Sequence, residues 1–420
     1  MEEQVEIQTV RVPQRAYYGD SELELELPAN WEVVLKPMPG WDAPALSNDQ
    51  IRAALAHPYG SPPLRELARG KREAVIIFDD MSRPTPTSVL WPLVVEELHA
   101  AGMIDDQIRF IVGLGMHGSH TREDMVRKLG EEALRRFPVY NHNPYEHVTY
   151  VGDTRQGTPV EVNNEVWACD LRIGIGSILP HPFAGFGGGP KLILPGVVSA
   201  RTITHNHGPL QTAIRARAAG TLAPGHLRNE IWQDMADAAR LAGLHFKVDA
   251  ILNGHRQVIG VFAGDFEAEW DEGVKMAKRV YATSPEPDAD IIISNAYGKS
   301  NEGMISAWSP GQAVGKPKDQ VVVITSPQGT VVHYLLGDFG KRAEGTLARE
   351  RMLPPNVESM TIYTPYPEKS ALLMFTRAGN VVESDWSRVI RKLADRHPAR
   401  ARVAVYPDLT VQYIDQAGAA

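Results

Sequence analysis

Short apolar runs alternate along the chain with longer stretches whose apolar residues recur at helical spacing. The apolar runs have the length of buried strands and lie at 74–78, 108–115, 147–152, 171–178 and 246–252. The helical patterns lie at 87–101, 121–137, 229–243 and 267–281. Because short apolar strands that alternate with helices are typical of βαβ units, the pattern predicts an α/β fold with a mostly parallel sheet.

The segment 282–288 is the best linker candidate, since it contains two prolines and two acids but no large apolar residue. The strand pattern restarts after it, at 290–298, 320–327, 360–365 and 401–407. We therefore predict two domains, 1–284 and 285–420, each a mostly parallel or mixed sheet flanked by helices. In such folds ligands bind at the carboxyl ends of strands, so we expect the active site there, in the interdomain cleft.

Composition and charge narrow the class of protein. The net charge is −8 and the pI about 6.0, which argues against a nucleic-acid binder but leaves room for an anionic substrate in a positive pocket. Cys169 is the only cysteine, so a disulfide within the chain is excluded and a reducing compartment is favoured. No apolar run approaches the ~18 residues of a membrane span, and residues 1–10 do not resemble a signal peptide. These features predict a cytoplasmic protein that does not bind membranes.

The first polar cluster, Asp79-Asp80-Met81-Ser82-Arg83, follows a fully apolar strand. An arginine at a strand end could hold a carboxylate through two parallel hydrogen bonds. The alternative is a helix N-terminus, capped by Asp80 or Ser82.

The second cluster, Gly113 to Thr121, places His117 and His120 after a glycine-rich strand end. Histidine is the natural general base near neutral pH. The alternative is a turn histidine next to the cap of the following helix.

The third cluster contains His181, three adjacent glycines (Gly187, Gly188 and Gly189) and Lys191. Such a loop could cradle a phosphate through its backbone N–H groups. It is neither a P-loop nor the dinucleotide-binding fingerprint, because a proline precedes the lysine and no helix opens with the glycines directly after a strand. The alternative is an ordinary glycine-rich turn.

The fourth cluster is Thr204-His205-Asn206-His207. Imidazole is a good ligand for transition metals, including nickel. The alternative is the polar end of a helix.

Taken in order, these four clusters resemble the nickel-pincer-nucleotide-dependent lactate racemase family, with good agreement over roughly 75–207. The matching elements are the Asp80-x-x-Arg83 motif, His117 after its glycines, His181 ten residues before Lys191, the Gly188-Gly189-Pro190-Lys191 loop, Pro195-Gly196, and His207 sixteen residues after Lys191. Agreement in both order and spacing is improbable by chance.

The resemblance implies an isomerase, a racemase or epimerase that inverts C2 of a 2-hydroxy acid. It implies a cofactor, nickel held by pyridinium-3,5-bisthiocarboxylic acid mononucleotide, which separate biosynthetic enzymes supply and which a recombinant sample can lack. Lys191 would bind this nucleotide covalently, near the loop glycines and Asp80, and His207 would ligate the nickel. His117 and His181 would act as acid and base on opposite faces of the substrate while a hydride moves to and from the cofactor, and Arg83 would bind the substrate carboxylate. The first domain would then be catalytic, and the second would close over the substrate.

The C-terminal part departs from the family pattern. Where lactate racemases carry a lysine for the substrate carboxylate, this chain has Glu302, with Lys299 three residues earlier and Asn301 between them. Lys299 could take over the charge, and Asn301 and Glu302 would suit additional substrate hydroxyls. The substrate is therefore expected to be lactate or a larger, aldonate-like hydroxy acid.

Two other classes of function remain as alternatives. The chain could be a cofactor-free homologue that binds a small molecule. It could also be a metal-dependent hydrolase or lyase that uses His117 and His120 with an aspartate-bound metal.

Overall fold

The computed structural model describes residues 6–217, 227–303, 306, 314–330, 353–368 and 380–415. Within these residues the chain divides into two compact units. The large unit is Gly40–Val280, and the small unit combines residues 6–39 with the described residues from Tyr281 onward.

The large unit is built on a six-stranded sheet in the order β13-β12-β9-β4-β5-β6, in which only β12 and β13 are antiparallel. Its strands are β4 (Ala74–Asp79), β5 (Ile108–Gly113), β6 (Val139–Asn141), β9 (Leu171–Ser177), β12 (Phe246–Leu252) and β13 (Val258–Gly264). Its helices are α1 (Asn48–Ala56), α2 (Leu64–Leu67), α3 (Thr87–Ala100), α4 (Arg122–Leu129), α5 (Glu131–Arg136), α6 (Asn164–Ala168), α7 (Ala200–His205), α8 (Gln211–Arg217), α9 (Glu230–Ala242) and α10 (Ala268–Tyr281), of which the last reaches the unit boundary.

The order of these strands determines where a ligand can bind. The chain runs outward from β4 through β5 to β6, and then returns to place β9 on the other side of β4. In open parallel sheets, a crevice forms at the carboxyl ends of the two strands where the order reverses. Asp79 pairs with Gly113, and Phe78 with Ile175, so these three strands end at the same edge. The first three sequence clusters follow strands of this unit, and the fourth lies at the end of α7.

Two local features differ from the sequence pattern. The run at 147–152 forms β7 (Val148–Asp153), which pairs with β8 (Pro159–Asn163) in a separate antiparallel ribbon outside the main sheet. The stretch at 121–137 is divided into α4 and α5 by Gly130, whose φ of 85° interrupts the helix in a conformation that favours glycine.

The small unit has a parallel six-stranded sheet in the order β18-β17-β16-β15-β19-β3. Its strands are β3 (Glu32–Leu35), β15 (Ile291–Ala296), β16 (Lys318–Ile324), β17 (Val357–Tyr363), β18 (Asn380–Glu383) and β19 (Arg402–Tyr406). A hairpin of β1 (Ile7–Gln14) and β2 (Ser21–Pro28), the short parallel pair β14 (Ala282–Thr283) and β20 (Tyr413–Ile414), and helix α11 (Trp386–Arg396) complete the unit.

The division of the chain differs from the expected one at its N-terminal end. The sequence pattern assigned 1–284 to one domain, but β3 joins the sheet of the small unit, where Glu32 pairs with Arg402 and Leu35 with Val405. The hairpin contributes to the same core through Leu25 and Leu27. The other boundary lies at Tyr281, close to the expected 284. No helix in the described ranges is long and apolar enough to cross a bilayer.

Candidate functional site

The loops that follow β4 and β9 are joined at the sheet edge. Thr85, in the loop after β4, donates to the carboxylate of Asp79, and its hydroxyl lies 2.7 Å from that of Ser177 at the end of β9. All three side chains are buried. The strand ends on either side of the crevice are therefore held together by a buried polar contact.

Asp80 and His117 form the best-defined polar pair of this edge. Nδ1 of His117 lies 2.5 Å from Oδ2 of Asp80, and the backbone N–H and hydroxyl of Ser82 bind the other carboxylate oxygen. Burial opposes ionisation of Asp80, but the charge and hydrogen bond of His117 and the charge of Arg83 outweigh it and hold the pKa of this carboxyl well below its usual range. An ionised Asp80 accepts the Nδ1 proton of His117, so Nε2 keeps its lone pair and can act as a base.

A buried lysine that the sequence analysis did not single out fixes the same loop. Nζ of Lys128 donates to the carbonyls of Asp80 (3.1 Å) and Arg83 (2.8 Å) and lies 2.7 Å from Oδ1 of Asp79. Its side chain is fully buried. The helix pattern in the sequence could have identified this lysine. Lys128 lies on the same face of α4 as the buried Met125 and Leu129, and a lysine on a buried face needs a hydrogen-bond or ion-pair partner.

Arg83 and His120 also lie at this edge. The guanidinium of Arg83 donates to the carbonyl and hydroxyl oxygens of Ser82. Nε2 of His120 accepts the N–H of Met81 at 2.9 Å, and burial lowers the pKa of this imidazole. The Nε2 atom of His120 is therefore occupied by a backbone hydrogen bond and is not available as a base or ligand in this arrangement.

His181 presents the opposite nitrogen arrangement to His117. Its Nδ1 accepts the N–H groups of Phe183 (3.2 Å) and Ala184 (3.1 Å) within the short turn between β10 (Pro180–His181) and β11 (Gly185–Phe186). In the neutral ring, Nε2 therefore carries the proton. His117 thus offers an acceptor nitrogen, and His181 a donor.

In the glycine loop, residues 187–191, three of the N–H groups that could face a phosphate bind within the protein. Gly189 donates to Oδ2 of Asp249 at 2.5 Å, Gly187 to the carbonyl of Leu179 at 2.7 Å, and Lys191 to that of Gly188 at 3.1 Å. The glycines serve close packing instead. A Cβ atom on Gly188 would lie 2.7 Å from Oδ2 of Asp249, and φ at Gly188 is +78°. The loop ends in a 3-10 turn, Gly189–Leu192, which contains Lys191.

The segment after Lys191 is packed against the strand end that precedes His117. The N–H of Gly115 donates to the carbonyl of Gly196 at 2.9 Å. A Cβ atom on Gly115 would lie 3.2 Å from Cβ of Pro195, so a residue larger than glycine would crowd Pro195 at this position. The lysine loop and the His117 loop are therefore held in a fixed relation.

His207 lies in a π-helical turn, Asn206–Leu210, that continues α7. Its Nδ1 is buried and has no hydrogen-bond partner. Burial, followed by the positive charges of Lys191 and His117, lowers the pKa of His207 to about 4. These influences place Lys191, His117 and His207 in one electrostatic neighbourhood, with His207 neutral near pH 7. Single π-helical turns are frequent at functional sites.

His205, two residues earlier, is engaged in a structural network. Its Nδ1 lies 2.9 Å from the hydroxyl of Thr158, which donates to the buried carboxylate of Asp234 at 2.8 Å. Asn206 donates to the same carboxylate at 2.7 Å. Asp234 therefore anchors the turn that carries His207.

Comparison with known proteins agrees with this arrangement of motifs. Residues 18–219 match the model of the lactate racemase N-terminal domain. The chain is 36% identical to the lactate racemase of Lactiplantibacillus plantarum over 253 residues, which are 60% of this chain and 58% of that protein. It is 29% identical to the lactate racemase of Thermoanaerobacterium thermosaccharolyticum over 317 residues, 74% of this chain and 73% of that protein.

In sequence the chain is therefore similar to lactate racemases, and the match to their N-terminal domain covers a little less than half of the chain. Its fold is also that of the lactate racemase apoprotein from Thermoanaerobacterium thermosaccharolyticum, with a TM-score of 0.71 at 21% identity over 97% of this chain and 100% of the other. A protein of Thermotoga maritima has a TM-score of 0.65 at 15% identity, over 88% of this chain and 99% of the other. At these identities the likeness establishes the fold.

Three polar residues that the sequence analysis expected at the substrate lie in the small unit and are buried. Lys299, Asn301 and Glu302 are at most 6% exposed. Ser300–Glu302 form a 3-10 turn after β15, rather than a longer helix. The loop after β19 holds this segment, since Asp408 accepts the N–H of Gly298 at 2.8 Å.

Proposed function

We propose that this chain is a racemase or epimerase that inverts C2 of a 2-hydroxy acid with a nickel-pincer nucleotide as cofactor. One observation carries the proposal. An Asp80-bound histidine, His117, shares an electrostatic neighbourhood with Lys191 and with a buried His207 whose Nδ1 has no hydrogen-bond partner. A general base, a nucleotide anchor and a metal ligand are the three functions that the family's chemistry requires.

The residues present fit such a cofactor. Metal ions bind the neutral form of imidazole, and His207 is neutral at physiological pH with one ring nitrogen buried and unpartnered. The described residues contain no group of three or more His, Cys, Asp or Glu side chains that could hold a metal ion. Sulfur groups of the family's nucleotide would supply further ligands of a kind suited to a transition metal. Lys191 would hold the nucleotide covalently.

When bound, the nickel nucleotide would accept the hydrogen of C2 and return it, so that no carbanion need form beside the carboxylate. His117 would accept the hydroxyl proton at Nε2, because Asp80 keeps its other nitrogen protonated. Asp80 would also stabilise the imidazolium that results. Arg83 would bind the substrate carboxylate through its guanidinium.

His181 would serve the other face of the substrate. Inversion requires that the group that donates a proton in one direction accept it in the other. In the contacts described above, Nε2 of His181 is the protonated nitrogen of a neutral ring, so this side chain would donate a hydrogen bond while His117 presents an acceptor. To transfer a proton, His181 would have to turn its ring away from the N–H groups of Phe183 and Ala184, so that Nδ1 can be protonated and the imidazolium can give up the Nε2 proton.

The substrate is proposed to be a hydroxy acid of the size of lactate or larger. Glu302 stands where family members carry a lysine, and Lys299 and Asn301 lie in the same turn region. Hydrogen-bonding side chains of this kind would suit an aldonate-like molecule with several hydroxyls. We also propose a cytoplasmic location, and the enzymes that make the nucleotide as partners. The reaction itself is tested by offering 2-hydroxy acids to the nickel-loaded enzyme and quantifying both stereoisomers.

The assignment of His207 is tested by nickel content. His207→Ala protein from cells that make the cofactor is expected to lose most of its nickel, because the proposed protein ligand has been removed. His205→Ala is the matched control and should retain nickel, since His205 is bonded to Thr158. Metal analysis of both proteins decides the matter. Loss of nickel from His205→Ala alone would reverse the assignment.

A further inference from the structure

Beneath the glycine loop lies a buried group of three ionisable side chains that the proposed chemistry does not use. Lys247 and Asp249 are on β12, and Glu269 is in the first turn of α10. All three are 0% exposed. Gly174 and Gly176 of β9 leave room for them, since a Cβ atom on Gly174 would lie 2.8 Å from Cδ of Lys247.

Asp249 connects this group to the lysine loop. One of its oxygens accepts the N–H of Gly189 at 2.5 Å, and the other is paired with the ammonium of Lys247. Trp270, the residue after Glu269, donates its indole N–H to the carbonyl of Gly187 at 2.9 Å. The loop that presents Lys191 is therefore fixed from β12 and from the start of α10.

Glu269 faces Asp249 without a cation of its own in the contacts described. Neither of its carboxyl oxygens accepts a hydrogen bond from a donor group, whereas the carboxyl of Asp249 acts on it both through its negative charge and through a side-chain hydrogen bond that the proton of one of the two groups would supply. The ammonium of Lys247 is therefore shared by two carboxyl groups, those of Asp249 and Glu269, at a site that is closed to solvent. Asp249 has the ion pair and the N–H bond, both of which favour its ionised form, so charge balance is reached when Glu269 keeps its proton.

We propose that Glu269 is a positioning residue, held un-ionised so that its hydroxyl can donate to Asp249 and keep that carboxylate against Gly189 and the Lys191 loop. Its functional consequence rests on the proposed role of Lys191. Burial and the charge of Asp249 raise the pKa of Glu269 well above its usual value, whereas Lys247 lowers it and Asp265, in the turn before α10, raises it. An ionised Glu269 would instead repel Asp249 and loosen the loop.

The sign of the pH dependence follows from the protonated state. Glu269 keeps its proton in the folded protein, but in the unfolded chain it loses the proton above its ordinary pKa. The wild-type protein therefore loses stability from this group as pH rises from about 4.5 towards the folded-state pKa. The Glu269→Gln variant does not incur this loss of stability, because the glutamine side chain is uncharged, is close in shape to glutamate and can still donate a hydrogen bond.

The experiment compares Glu269→Gln with Glu269→Leu in the full chain. The glutamine variant should melt about 2–4 °C above the wild type at pH 8, with a difference below about 1 °C near pH 4.5. It should carry the nucleotide on Lys191 as the wild type does. The leucine variant removes the donor, so amide exchange in the peptide that contains Gly189 should be roughly tenfold faster, and nucleotide loading should fall. A peptide from α11 serves as the exchange control.

The outcomes separate this inference from the proposed function. A glutamine variant that is less stable than the wild type at pH 8, or a difference that does not change with pH, overturns the un-ionised state. Equal exchange and equal loading in the two variants overturn the positioning role. If the wild type itself never carries a nucleotide on Lys191, the proposed function fails, whereas the exchange and melting measurements still test Glu269. If Glu269→Leu does not fold, the pH profile of Glu269→Gln decides.

Discussion

Lys191→Ala protein, purified from cells that make the cofactor, is expected to lack the mass increment of a bound nucleotide and to lose essentially all racemase activity. Lys191 is the one loop residue that can form the covalent attachment proposed here, and its backbone is fixed by the bond of its N–H to Gly188. Removing the side chain should leave that backbone intact. The measurement is the intact mass of the wild-type and variant proteins, prepared in parallel.

Lys275→Ala is the matched control for this experiment. Lys275 is an exposed lysine of α10 that pairs with Glu272 three residues away, so its removal should change neither mass increment nor activity. If Lys191→Ala keeps the increment at full occupancy, another residue anchors the nucleotide and the proposed attachment is wrong.

His117→Ala is expected to reduce racemisation by roughly 10²–10⁴-fold, because it removes the proposed base for the hydroxyl proton. Asp80→Asn should cause a loss of the same order, since an amide cannot stabilise an imidazolium and can favour the wrong ring tautomer. Nucleotide loading should persist in both variants. Racemisation is measured by chiral separation at matched cofactor occupancy.

The control for these variants is His255→Gln. His255 is exposed and pairs with Asp42 outside the candidate site. Racemisation near the wild-type rate in His117→Ala would remove that histidine from the mechanism. An Asp80→Asn variant with full activity would mean that the short Asp80–His117 contact serves the fold alone.

The parts of the fold that could be predicted from the sequence are those with continuous local patterns. The run at 74–78 is apolar throughout and becomes the fully buried strand β4. The order and spacing of the four clusters also indicated a resemblance to lactate racemases, and residues 18–219 match the model of their N-terminal domain. The clusters that follow strands lie at one edge of the sheet, because the carboxyl ends of neighbouring parallel strands lie at the same edge.

The parts that could not be predicted depend on residues far apart in the chain. Glu32 pairs with Arg402 across 370 positions, and no local pattern reports such a partner. The glycine loop had the composition of a phosphate cradle, but the acceptor of Gly189 is Asp249, sixty residues later. Lys128 appeared to be one charge among several on a polar helix, although its position on the buried face could have identified it.

The central claim is that C2 of a 2-hydroxy acid is inverted by removal and return of its own hydrogen. The most direct test offers the nickel-loaded wild-type enzyme single enantiomers deuterated at C2, from lactate to aldonates, in ordinary water. We expect the opposite stereoisomer to appear with deuterium retained at C2, because the proposed hydride chemistry would not exchange this hydrogen with solvent. Absence of inversion with every hydroxy acid, or inversion with the deuterium replaced by solvent hydrogen, would contradict the account.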